Sequence, residues 1–251
     1  MTPPAPWRRL LAEFIGTALL LTAVVGSGVM AQRLSPHDTG LQLLENSIAT
    51  AAALVAIILA LGPISGAHLN PVVTLADRVF GGLTTSQAAG YIAAQLAGGI
   101  AGSVIANLMY ALPAIEISTR TRSGTGLWVG EVVATFGLLL VIFGVVRSGR
   151  TSAAPFAVAG YIGAAYWFTS STSFANPAAT FGRMFTNTFA GIAPRSTPAF
   201  VIAELAGATL AVVTVAALHP RVRQTATDVV VPHADPATNP ADTPTGEAAR
   251  V

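Results

Sequence analysis

Apolar residues in this chain come in long runs separated by short polar breaks. The runs over 10–31, 46–62, 86–109, 127–146, 153–172 and 197–218 carry almost no charge. Each has the length and polarity expected of a helix that crosses a bilayer. The pattern predicts six spans, with a polar loop over Gln32 to Gln42 and a polar connection from about Pro113 to Gly126. The third run is full of small residues, from Ala88 to Gly102, which let transmembrane backbones approach closely. Two breaks are of another kind. Gly62-Pro63-Ile64-Ser65-Gly66 interrupts the second run, and Asn70-Pro71-Val72 follows it. Asn176-Pro177-Ala178 follows the fifth run in the same way, 106 residues later. Asn is a good N-cap and Pro suits the first helical position, so each dipeptide reads as a helix start. The first short helix is expected to end near Gly81-Gly82 and the second near Gly191.

The two halves repeat one another. Ala12-Glu13-Phe14-Ile15-Gly16-Thr17 matches Gly130-Glu131-Val132-Val133-Ala134-Thr135. Ile92 to Gly98 matches Ile202 to Gly207 once one residue is dropped. Each half contains three spans and one half-helix, and an odd number of spans inverts the second half relative to the first. Inverted repeats with broken helices place a functional site at the bilayer midplane. The predicted fold class is therefore an all-α membrane protein of six transmembrane helices and two re-entrant half-helices. A channel domain would cover 1–219, with repeat one over about 7–110 and repeat two over about 125–219. Beyond Pro220 the chain is rich in Pro, Ala, Thr and Asp without apolar periodicity, which predicts a disordered cytoplasmic tail over 220–251.

Composition agrees with a polytopic membrane protein: 53% hydrophobic, 10% charged, mean hydropathy +0.64. There is no Cys, which excludes thiol chemistry and disulfides. All 13 basic residues are Arg, scattered along the chain with a net charge of only +2, which argues against a nucleic-acid surface. Arg8-Arg9 precedes the first run, but that run exceeds a signal peptide's apolar core, so an uncleaved first span is expected. With both termini cytoplasmic, the inner loops hold Arg8, Arg9, Arg78, Arg147, Arg150, Arg221 and Arg223. The outer segments then hold Arg33, Arg120, Arg122, Arg183 and Arg195. The bias favours that orientation in the plasma membrane.

Over about residues 7 to 218 the sequence resembles the aquaporin, or major intrinsic protein, family. The resemblance is carried by Ala12-Glu13-Phe14, Ser65-Gly66-Ala67-His68-Leu69-Asn70-Pro71, Gln95, Glu131 and Phe174-Ala175-Asn176-Pro177-Ala178. One Asn-Pro-Ala triplet alone is weak, since Asn239-Pro240-Ala241 recurs in the tail with no span around it. Two departures stand out: Val72 replaces the usual Ala of the first motif, and Ala179 stands where the family has Arg. The resemblance implies a passive hourglass pore, a homotetramer, and no cofactor or metal. Asn70, Pro71, Val72, Asn176, Pro177 and Ala178 would form the pore centre. The half-helix N-termini would carry partial positive charge there, disfavouring cations while neutral solutes pass. The carbonyls of Gly66-Ala67-His68 and Thr172-Ser173-Phe174 would line the path. The family's outer constriction falls at about Thr50, Ala164, Ser173 and Ala179, all small, so the ring should be wide and weakly polar. That suits glycerol, urea or arsenous acid. The stretch Tyr166 to Asn176 without the Arg also looks like bacterial aquaporins associated with arsenic resistance, for which organic arsenicals are further candidates.

Other residues are weighed against plainer readings. Arg183 lies one turn beyond Ala179 and reads either as leaning back toward the outer vestibule or as a surface residue. Glu13 and Glu131, at repeat-related positions, suit anchors of the re-entrant loops better than proton relays. Glu204 has no such clear account: Gln95 at the matching place in the other half suggests a helix-packing polar group, and a protonatable site is the alternative. His68 reads as loop packing near the inner vestibule, and Tyr166, Trp167 and Phe168 as lipid- or subunit-facing bulk. The rivals are a water-selective aquaporin, a secondary active transporter, for which the spans carry few ionisable groups, and an adhesive protein that has lost conduction. An enzyme fits least, with no nucleophile–base pair in view.

Overall fold

The structure, a computed structural model, describes residues 4–219; the tail expected to be disordered lies outside the described residues. Eight α-helices account for most of these residues. They are α1 (Pro6–Leu34), α2 (Thr39–Ser65), α3 (Pro71–Phe80), α4 (Thr85–Met109), α5 (Thr125–Arg147), α6 (Ala154–Phe168), α7 (Pro177–Gly182) and α8 (Thr197–Leu218). Five of them, α1, α2, α4, α5 and α8, are long and apolar enough to cross a membrane.

The fifth run forms a shorter helix than expected. Instead of 153–172, a 3₁₀ turn at Thr151–Ala153 leads into the 15 residues of α6. Helix gives way at Thr169-Ser170-Ser171-Thr172-Ser173, where hydroxyls bond nearby backbone in place of the helical ladder. The Thr169 hydroxyl donates to Ala165 O at 2.6 Å, and the Ser171 hydroxyl accepts from Ser173 N. Three more expectations shift. The polar loop over 32–42 contracts to 35–38, because Asp38 caps α2 by accepting from Leu41 N. Pro63 sits inside α2, and the helix ends only at Ser65, on Gly66 with φ +88°. The second half-helix stops at Gly182 rather than near Gly191, followed by a 3₁₀ turn over Arg183–Phe185.

The helices pack as two related sets. In the first, α1 lies against α4 and α2; in the second, α5 lies against α8 and α6; α2 and α6 then meet. The half-helices are shared, α3 against α4 and α8, and α7 against the same two helices. Close approach at repeat-related glycines makes this possible. A β-carbon on Gly98 would stand 2.4 Å from Phe14 O, and one on Gly207 would stand 2.4 Å from Val132 O. Backbone in such contact leaves no room for a side chain. The α4–α5 connection lies along the segment after α7. Ser118 N donates to Met184 O, and Ala193 N donates to Arg120 O.

Candidate functional site

The two re-entrant loops meet in the middle of the molecule. Each enters a half-helix through its Asn. Asn70 Oδ1 accepts from Val72 N at 3.0 Å, and Asn176 Oδ1 accepts from Ala178 N and Ala179 N at 3.0 and 3.2 Å. Each Asn also reaches across to the other loop: Asn70 Nδ2 donates to Ala175 O and Asn176 Nδ2 to Leu69 O, both at 2.8 Å. A primary amide has two N–H donors, so each Asn has one not used in these bonds.

The loops hold unusual backbone. Ala67 and Leu69 have φ of +47° and +52°, and Ser173 and Ala175 have +51° and +47°. Such conformations cost roughly 1–2 kcal/mol each in L-residues, so something must hold them. In the first loop it is Glu13, which accepts from Ser65 Oγ (2.6 Å), His68 N (3.0 Å), Leu69 N (2.7 Å) and Gln95 Nε2 (2.7 Å). In the second it is Glu131, which accepts from Phe174 N (2.9 Å), Ala175 N (2.7 Å) and the Ser171 hydroxyl. Both carboxylates are wholly buried. The same seesaw of amides turned to carboxylate and carbonyls turned to the other loop serves both halves.

A continuous cavity runs past this junction. Its wall is built at one-turn spacing from four helices: Leu20 and Val24 of α1; Thr50, Leu54 and Ile58 of α2; Leu138 and Ile142 of α5; Val158, Ile162 and Tyr166 of α6. The loops contribute Ala67 to Asn70 and Ser173 to Asn176, and Val73, Ala179 and Arg183 complete it. The wall is mostly apolar, with polar groups concentrated at the junction and at one end. Ser173 lines it as well, and its buried hydroxyl has no hydrogen-bond partner among the described residues.

Several expected site residues are at the cavity and several are not. Asn70, Asn176, Thr50, Ser173, Ala179, His68 and Arg183 line it. Pro71, Val72, Pro177 and Ala178 do not; they are buried behind it, and Val72 packs in the apolar core. Ala164 is a correction: it is exposed on the outer face of α6, while Ile162 and Tyr166 line the cavity. Counting back from Asn176 crosses the non-helical stretch 169–176, where the helical register is lost. Tyr166 is a second correction. Rather than facing outward with Trp167 and Phe168, which are exposed, it is 4% exposed and its hydroxyl lies 3.2 Å from Thr50 Oγ1. The opening at this end therefore holds an aromatic ring and a guanidinium, not four small side chains.

Arg183 is buried at that end. Its Nε donates to Ala190 O, and its guanidinium carbon lies 3.4 Å from the centroid of the Phe174 ring. Arg122, which sequence reading placed only in an outer segment, comes to the other side of this cluster, 5.1 Å from the same centroid. It donates from Nε to Gly191 O at 2.9 Å and from an Nη to Phe189 O at 3.1 Å. Loss of water, then the Arg183 and Arg120 charges, lower its pKa to about 9, so it stays charged at neutral pH. No local signal marks Arg122, because the connection that carries it folds back over the vestibule. At the other end of the cavity, His68 Nδ1 lies 3.2 Å from Thr74 Oγ1, and Nε2 lies 3.9 Å from Asp77 Oδ2. Among the described residues no group of His, Cys, Asp or Glu side chains is arranged to hold a metal ion.

The chain is similar to known proteins. The model of one protein family, "MIP: Major intrinsic protein", matches residues 1–173. The chain is 52% identical over 204 residues to "Aquaglyceroporin AqpS" of Rhizobium meliloti (strain 1021), covering 81% of this chain and 87% of that protein. It is 34% identical over 152 residues to Aquaporin-5 of Mus musculus, covering 58% and 55% of the two chains. Among solved structures, that of the aquaglyceroporin from Plasmodium falciparum superposes with a TM-score of 0.63 at 23% identity, covering 88% of this chain and all of that one. At that identity the likeness speaks for the fold.

Proposed function

The chain belongs to the major intrinsic protein family, and on that premise we propose a passive channel for small uncharged solutes and water. The observation that carries it is the junction of the loops. Asn70 and Asn176 stand in one apolar-walled cavity, each fixed by a bond to the opposite loop and each with a spare N–H. Non-helical backbone lining such a cavity is tolerated at membrane depth. A solute hydroxyl exchanges its water for these donors. The buried guanidinium of Arg183 and the half-helix starts repel cations. Under this reading Thr50, Tyr166, Ser173, Ala179 and Arg183 form the selective opening, and the solutes are of glycerol or metalloid-hydroxide type, arsenous acid among them. Similarity to a protein named an aquaglyceroporin supports the polyol class.

The same reading makes residues 4–219 one channel unit of two inverted repeats, assembled as a homotetramer in the plasma membrane with cytoplasmic termini. Large apolar side chains on the outer helix surfaces, such as Leu19, Ile48 and Ile202, suit lipid and subunit contact.

Stopped-flow light scattering on proteoliposomes tests it, with water, glycerol and arsenous acid as separate challenges. Entry of glycerol or arsenous acid well above empty liposomes, unchanged when a proton gradient is collapsed, is the expected result. One observation favours a second reading, a water-selective pore: Tyr166 and Thr50 touch across the opening. Fast water flow without solute entry would establish that reading instead. In that case Tyr166→Ala should admit glycerol.

A further inference from the structure

Glu204 on α8 is wholly buried and is the partner of Gln95 in the other repeat. Its Oε1 accepts from Thr180 Oγ1 at 2.6 Å and from the backbone N of Asn176 at 3.2 Å. Its side chain also meets that of Glu131, and its Oε2, fully buried, has no donor facing it. Two acceptor groups thus face each other where both side chains are wholly buried. The first half shows what the arrangement requires. There Glu13 has four donors, and the fourth is the Gln95 amide. Glu131 has three, and the fourth place is occupied by Glu204.

Two ionised carboxyls in contact without a donor between them are not sustained at such a site. Arg183, a cation that feels both carboxyls, directs its Nε to Ala190 O and its face to Phe174. Tyr166, close enough to Arg183 to influence it, bonds Thr50 instead. A proton on Glu204 Oε2 removes the conflict. The acid O–H then donates to Glu131 as the amide N–H donates to Glu13, and Oε1 remains free to accept from Asn176 and Thr180.

We propose that Glu204 is held protonated and donates to the Glu131 carboxylate, so that Asn176 in the second loop is positioned by a bound proton where Asn70's loop uses an amide. Glu204 is a positioning residue; it acts through Glu131 and the Asn176 backbone.

Infrared difference spectroscopy on the full reconstituted chain at neutral pH reads the proton directly. The wild type should show a carboxylic C=O band that shifts in D₂O and is missing from Glu204→Gln. Because the amide supplies the same donor, Glu204→Gln should fold and conduct within about twofold of the wild type, as expected when one hydrogen bond replaces another. Glu204→Ala, which supplies none, should lose conduction. The reciprocal variant Gln95→Glu should add a second carboxylic band. A wild type without the band, a band unchanged in Glu204→Gln, a Glu204→Gln protein that fails to fold or conduct, or a Gln95→Glu spectrum identical to the wild type would each overturn the proposal. The spectral arms do not depend on any solute, so they are decided even if the channel reading fails.

Discussion

The first and second re-entrant loops do the same work with different parts. Both cross the middle of the molecule, both begin a half-helix at Asn-Pro, and both hang two consecutive backbone N–H groups on one buried glutamate. They differ at three places. The helix behind the glutamate offers Gln95 in the first half and Glu204 in the second. The residue after Asn-Pro is Val72 in one and Ala178 in the other. The half-helix runs ten residues in the first and six in the second, where it turns into the Arg183 segment. The lesson is that the carboxylate-to-amide geometry is the conserved requirement between halves. The groups around it vary: Glu13 has four donors and Glu131 three.

The comparison breaks most severely at the anchors. Glu13→Ala leaves His68 N and Leu69 N without acceptors, and Glu131→Ala does the same to Phe174 N and Ala175 N. Each buried orphan costs about 1–3 kcal/mol, so neither variant should accumulate as folded protein in detergent size-exclusion profiles. If one survives and the other does not, the halves are not mechanically equivalent.

Next in size are the glycine contacts. Gly98→Val and Gly207→Val push a side chain into Phe14 O and Val132 O. Overpacking of this kind costs about 1–3 kcal/mol, and the two variants should lower the thermal midpoint by similar amounts. Unequal shifts would mean that the α1–α4 and α5–α8 seams tolerate strain differently.

Arg183 has no counterpart in the first half, so Arg183→Ala tests what is unique to the second. It removes a buried cation from the opening and from the Phe174 face. That contact is worth about 1–2 kcal/mol, so the ratio of solute to water flux should change by roughly tenfold. An unchanged ratio would place Arg183 in packing alone. The smallest effect is expected at Val72, which packs in the core away from the cavity. Val72→Ala should cost about 1 kcal/mol of stability and leave solute flux unaltered, whereas a change in flux would put that side chain in the pore.

Much of this was readable from residues alone, and for definite reasons. The long apolar runs mark the bundle because backbone in lipid must satisfy itself within a helix. The paired Asn-Pro starts and the matching Glu13 and Glu131 mark the loops because the repeat places each twice. Errors arose where the count crossed non-helical backbone. Ala164 was expected at the opening, but the residues after Phe168 leave the helix, and Ile162 and Tyr166 take the cavity face. Arg122 was invisible as a neighbour of Arg183, since only folding of the α4–α5 connection brings them to one Phe174 ring.

The sequence by itself determined the number of helices, the inverted repeat, the half-helix starts and the buried anchors. These follow from local periodicity, capping and composition, which act over a few residues at a time. Only the tertiary structure decided which side chains face the cavity, and that the Glu204 side chain meets that of Glu131. Those facts depend on helix rotation and on contacts between residues far apart in the chain, and no local pattern encodes either.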